Sequence, residues 1–176
     1  MCRFLSVLIL PSGEVLHHPM LDSHSDLVTH FGLRDDTPHR QRFAKAELTP
    51  AETTWLDPDQ WTWRLDEPTR PDWLTGDAEQ DAARRTRDLA RRMVIATGTR
   101  TLIVEGCWIV GGDAVVHDVR AGRMLRVQDS ASIRNVRDNA SIRNVGGSAS
   151  IRGVWDSASI QNVGGSASIQ GVGGSA

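Results

Sequence analysis

From Asp129 the chain repeats itself every nine residues, as DSASIRNVR, DNASIRNVG, GSASIRGVW, DSASIQNVG and GSASIQGVG followed by GSA. A fixed period of this kind decides the fold of its segment before any other property is consulted. Ala131, Ala140, Ala149, Ala158, Ala167 and Ala176 hold one phase of the repeat. Ile133, Ile142, Ile151, Ile160 and Ile169 lie two residues later, and Val136, Val145, Val154, Val163 and Val172 three beyond those. Residues two apart share a face of an extended strand, whereas a residue three further on regains that face only if the backbone bends between them. Each unit therefore reads as a short, bent strand. The Gly-Gly, Asp-Ser or Asp-Asn pair after each Val supplies the turn, because Gly accepts positive φ and Asp or Asn bonds to nearby backbone. A helix is excluded, since nine residues make two and a half turns and successive units would show their apolar residues on opposite faces. A disordered linker has no reason to keep Ala, Ile and Val in strict phase.

The phase continues upstream. Residues 111–119, GGDAVVHDV, align without a gap on residues 146–154 and place Ala114, Val116 and Val119 inward. Residues 123–127 look like a unit shortened by one. The expected architecture is an α+β head over residues 1–105 and a β-solenoid over residues 106–176, of about seven nine-residue units. With two units per coil the strands stack at ~4.8 Å, and Ala131, Ile133, Val136, Ala140, Ile142, Val145, Ala149, Ile151 and Val154 form the core. Arg134 then stacks on Arg152, and Arg143 on Gln161. Stacked arginines repel at strand spacing, and the change from Arg to Gln161 and Gln170 in the last units relieves this.

Repeat arrays normally close with a polar, atypical unit. This one stops in mid-unit at residues 173–176. Self-association through Ile160, Val163, Ala167, Ile169, Val172 and Ala176 is the expectation, as an end-to-end two-fold dimer or, if the contact does not close, a filament. Two other solenoid functions fit poorly: the repeat lacks the Asp that Ca²⁺-binding nonapeptides carry after each glycine pair, and ice-binding faces favour Thr over Ser.

In the head, residues 2–10 and 14–16 read as a hairpin around Pro11-Ser12-Gly13. Ser25 is placed to cap a short helix ending at Gly32. Residues 42–48 and 61–65 read as strands. A longer helix starts at Asp77, with Gln80 as capping partner and Leu89 and Met93 on its buried face. Residues 100–110 form the strand that leads into the solenoid.

Composition narrows the function classes. Of 176 residues 20 are basic and 22 acidic, for a formal charge of −2, which gives no general pull toward nucleic acid or an anionic membrane. No apolar run reaches the roughly 20 residues that span a bilayer. Two distant cysteines, Cys2 and Cys107, make no disulfide framework, and a cytoplasmic location is expected. All but one of the basic residues are Arg, Lys45 being the exception, a skew typical of GC-rich genomes.

Four groups of residues could carry chemistry. Removal of Met1 would expose Cys2 as an N-terminal thiol with its own amine as base. His17, His18, Asp22 and His24 form a histidine cluster, although their spacing over a loop with Pro19 favours helix capping over a metal, and no metal or other cofactor is expected. Arg84, Arg85, Arg87, Arg91 and Arg92 make one helix basic, but Asp81 and Asp88 stand four residues before Arg85 and Arg92, the spacing of solvated ion pairs. Trp55, Trp61, Trp63 and Trp73 cluster as core or interface anchors, and Trp61, Trp63 and Trp73 are the candidate surface for a host protein.

The segment Cys2-Arg3-Phe4-Leu5 resembles the opening of class II glutamine amidotransferases, which implies an N-terminal-nucleophile amidohydrolase using Cys2. Across Met1 to Phe4, Asp22-Ser23-His24, Gly106-Cys107-Trp108 and the repeats, the chain resembles small proteins of actinobacteria and their phages. Those open Met-Cys-Lys/Arg-Phe and finish in variable numbers of G-S-A-x-I/V repeats. That resemblance implies an actinobacterial or phage origin and no mechanism. The reading that follows is a non-enzymatic interaction protein that binds itself through its solenoid. An amidohydrolase, or an anti-defence or regulatory binder of a host macromolecule, are the alternatives.

Overall fold

The computed structural model describes residues 5–34 and 41–175. The chain divides into two compact units, Met1–Arg91 and Arg92–Ala176. In the first, β1 (Leu5–Ile9) and β2 (Val15–Leu16) form the expected hairpin, turning where Gly13 takes φ 81°. β3 (Ala44–Thr49) and β4 (Thr62–Leu65) complete an antiparallel sheet in the order β2-β1-β3-β4. Alternation sets its faces: Ala44, Ala46 and Leu48 are buried, while Lys45, Glu47 and Thr49 stay partly exposed. The helix α1 (His24–His30) packs on β1, with Leu27 joining Leu8 and Phe43 in one apolar cluster.

Local details depart from the sequence reading. Ser23, not Ser25, takes the N-cap position of α1, and the two hydroxyls hydrogen-bond at 2.6 Å. The second helix, α2, runs Gly76–Met93, and Thr75 accepts its Ala78 N–H at 3.2 Å in the capping role assigned to Asp77 and Gln80. Its buried residues are Ala82, Ala83, Thr86 and Ala90, with Leu89 and Met93 only partly covered. Small side chains permit close approach, which long ones at the flank do not.

The second unit is a β-solenoid. Ten strands alternate between two parallel sheets: β5 (Val94–Ile95), β7 (Cys107–Val110), β9 (Arg123–Val127), β11 (Ser141–Val145) and β13 (Ser159–Val163) form one. The other holds β6 (Thr99–Ile103), β8 (Val115–Val119), β10 (Ser132–Val136), β12 (Ser150–Val154) and β14 (Ser168–Val172). Ser132 pairs with Ser150 and Ile142 with Ile160, so each residue stacks on its equivalent two repeats away. Two units make one coil, the arrangement on which the expected stacking rested. Ile133 and Val136, an odd number of positions apart, are both fully buried, which a flat strand forbids and a bent one allows. All nine expected core residues, from Ala131 to Val154, lie in one continuous cluster.

The first position of each unit is the turn. Asp129, Asp138 and Asp156 adopt φ of 59°, 59° and 61°, and Gly147, Gly165 and Gly174 take 63°, 66° and 76° in the same phase. Asp tolerates this left-handed region better than most residues and here gains a bond in return. Asp129 Oδ2 accepts the Gly112 N–H one coil away at 3.0 Å, and Asp156 Oδ2 that of Asp138 at 3.3 Å. Main-chain bonds also continue through the turns, from Ser148 N–H to Asp129 O and from Ser166 N–H to Gly147 O.

The ladder begins earlier than residue 106. Val94 pairs with Ile109 and Thr99 with Val115, so β5 and β6 are its first rungs. The expected single strand over residues 100–110 is two strands, broken at residues 104–106 where Gly106 turns with φ 87°.

Outside the barrel, side chains stack in columns. Asn162 donates to Arg143 O and Asn144 Oδ1, both at 3.2 Å, while Asn144 donates to Leu125 O. On the other sheet Asn135 and Arg137 both bond Asp118 at 3.0 Å, and that column then changes to Gly153 and Gly171. The reason is Trp155. Its indole lies across Gly153, Gly171 and Gly173, so close that a Cβ on Gly153 would stand 2.3 Å from Nε1. The Asn-to-Gly exchanges in the third and fifth units thus make room for one tryptophan. Gly153→Asn alone should displace the indole and destabilise the chain by about 1–3 kcal/mol. Combined with Trp155→Gly, which restores the other repeats' residues, most of that loss should disappear in a urea double-mutant cycle.

Candidate functional site: the open edge of the solenoid

The rungs β13 and β14 each pair with a strand on one side only, β11 and β12 respectively, among the described residues. Their outward backbone groups therefore have no ladder partner among the described residues. The apolar floor surfaces here. Val163 is 50% and Val172 65% exposed, against 3% for Val145 and Val154 one coil deeper. Ile160, Ala167 and Ile169 are partly covered and pack on the core from above. Ala176 lies outside the described residues.

Charge is arranged in the same direction. The inner units carry Arg134, Arg143 and Arg152 on their outer faces, all exposed, while the last coil carries Gln161 and Gln170. At the opposite edge β6 presents Thr99, Arg100 and Thr101 to solvent, and the Arg100 guanidinium sits 4.6 Å over the Trp108 ring. An edge with a charged residue resists strand addition, and one with Ser, Ile, Gln, Gly and Val invites it.

The other candidates separate as follows. Cys2 lies outside the described residues, and Cys107 is a buried thiol. Trp61 is a core residue, 1% exposed, whose indole donates to Thr54 O at 2.7 Å. A partner surface centred on Trp61, Trp63 and Trp73 loses its middle, because burial leaves Trp61 no face to offer. The other two are partly buried, with Trp63 donating to Glu79 and Trp73 to Gln41 O. Arg85 pairs with Asp81, and Arg91 with both Asp88 and Asp59, so the basic helix face is laced with carboxylates. The Arg84 hydrogen bond, more than that from Arg85, holds Asp81 below the ordinary carboxylate range.

The histidine cluster disperses. His18 accepts the Met20 N–H and lies tilted against His30 with ring centroids 4.6 Å apart, while burial, aided by the charge of His18, holds His17 below the ordinary imidazole value. His24 leaves them and meets Glu47 and Asp66, the one group among the described residues whose ligand atoms could reach a common ion. Glu47 and Asp66 were not singled out in the sequence, because only cross-strand pairing brings them to His24. No helix among the described residues is long and apolar enough to cross a membrane. No protein family, no curated protein and no solved structure matches this chain.

Proposed function

We propose that the chain is a non-enzymatic interaction protein that assembles with a second copy of itself through the last coil of its solenoid. The observation that carries this reading is the coincidence of exposed Val163 and Val172 with edge strands β13 and β14, paired on one side only among the described residues, and with glutamine in place of arginine at positions 161 and 170. The partner best matched to such a coil is another coil of the same spacing and bend. A two-fold contact sets each edge against itself, so its strands run antiparallel. Arginines at that edge would face each other across the axis, and glutamines avoid the repulsion.

Light scattering across a concentration series tests the assembly. The full chain should approach twice its 19.3 kDa monomer mass. Gln161→Arg with Gln170→Arg reproduces residues that the inner units already carry, so the fold should persist while the dimer weakens. Val163→Lys with Val172→Lys should leave a monomer. A full chain that stays monomeric at every concentration would overturn the proposal.

A further inference from the structure

The cluster of His24, Glu47 and Asp66 in the first unit has the composition and geometry of a metal-binding site. His24 opens α1 and is 6% exposed. Glu47 lies in the middle of β3, opposite Ser6 on β1 and Arg64 on β4, and Asp66 follows β4 with its N–H bonded to Lys45 O at 2.8 Å. One ligand atom from each residue lies within 4.8 Å of the others.

The hydrogen bonds orient these atoms. His24 Nε2 sits 3.1 Å from Ala46 O, and a carbonyl only accepts, so Nε2 carries the hydrogen. In the neutral ring the lone pair is then on Nδ1, which faces Asp66 Oδ2 at 3.2 Å. A positive charge bridges two such atoms, and either the ring's own Nδ1 proton or a metal ion in its place supplies it. On its far side Asp66 Oδ1 is held by Arg64 at 3.3 Å. A ligating histidine fixed by a backbone carbonyl and a ligating carboxylate fixed by an arginine are the usual outer partners of a metal centre. Glu47 adds a second carboxylate, partly buried, with no hydrogen bond or ion pair to its oxygens among the described residues. Two carboxylates this close repel, and the single Arg64 guanidinium beside them balances one of the two charges.

We propose that His24 Nδ1, Asp66 and Glu47 bind one divalent transition-metal ion. One imidazole and two carboxylates suit Zn²⁺ or Mn²⁺, whereas Ca²⁺ and Mg²⁺ prefer oxygen alone. Three protein ligands leave a position for water or a small ligand.

The test uses the full chain, stripped with chelator and titrated with ZnCl₂ in a calorimeter. One ion per chain should bind, and Glu47→Gln and Asp66→Asn should each weaken binding at least tenfold. His17→Gln with His18→Gln should leave it unchanged. Melting supplies a second readout: metal-free Glu47→Gln should melt at or above the wild-type temperature while losing the Zn²⁺-induced rise. Co²⁺ bound to the wild-type chain should show ligand-field bands with no thiolate charge-transfer band. Absence of saturable Zn²⁺ binding, or binding indifferent to Glu47→Gln and Asp66→Asn, would overturn the proposal. So would a thiolate band.

Discussion

Ile142→Asp abolishes the folded solenoid. Ile142 is fully buried, stacked between Met124 on β9 and Ile160 on β13, with the core on its inner side. A carboxylate there has no cation or hydrogen-bond donor to meet, and the coils above and below are held to the same spacing by their main-chain ladder, so the site cannot open locally. The loss should be about 4 kcal/mol or more, comparable to the whole stability of a small unit. The same substitution three units further along, on the other sheet, is mild by comparison. Ile169→Asp, on the partly covered last rung, should cost about 1 kcal/mol, because its side chain turns to water. Urea denaturation followed by circular dichroism compares the two, and equal losses would mean that burial does not rise toward the middle of the array. Ile169→Asp should also be monomeric, which separates the edge's part in assembly from its part in folding.

Gly147→Val should be strongly destabilising, at about 3 kcal/mol. The backbone there is left-handed, where a β-branched residue is strained, and a Cβ would stand 2.7 Å from Asp129 N in the coil below. Backbone cannot swing aside as a side-chain tip can. Gly147→Asp should cost less, since Asp adopts this φ more readily than a β-branched residue and Asp156, standing over Asp138 in the same phase, shows that the coil spacing can shift to admit an Asp there. Gly146→Ala, one residue earlier, meets nothing within 4 Å and should be neutral or slightly stabilising. Melting temperatures of the three variants give the order directly, and a tolerated valine would contradict the stacked-turn geometry.

The solenoid was legible because one physical rule is written nine residues apart many times over. Ala131, Ile133 and Val136 disclose the bend, and the eighteen-residue pairing of Ser132 with Ser150 follows from two bends per coil. Its first coil was not legible, since β6 carries Thr99, Arg100 and Thr101 where later rungs carry the repeat, and only pairing with β8 admits it. Trp155 did leave a trace: Gly153 and Gly171 interrupt the asparagine phase on either side of it, and a steric reading of that exchange locates the indole. In the head, β-forming runs bounded by Pro and Gly revealed the strands, but an alanine stripe on α2 is a weak hydrophobic signal beside Leu89 and Met93. Glu47 and Asp66 stand far from His24 in sequence, and no local spacing predicts a cluster assembled by the register of β1, β3 and β4.

Amide hydrogen exchange read peptide by peptide, at low and high protein concentration, tests the stacked ladder and its open rung together. Slow exchange through β9 to β12 at both concentrations is expected, with β13 and β14 fast when dilute and slowed when concentrated. Uniformly fast exchange across residues 129–172 would contradict the fold, and a last coil whose exchange ignores concentration would contradict the assembly.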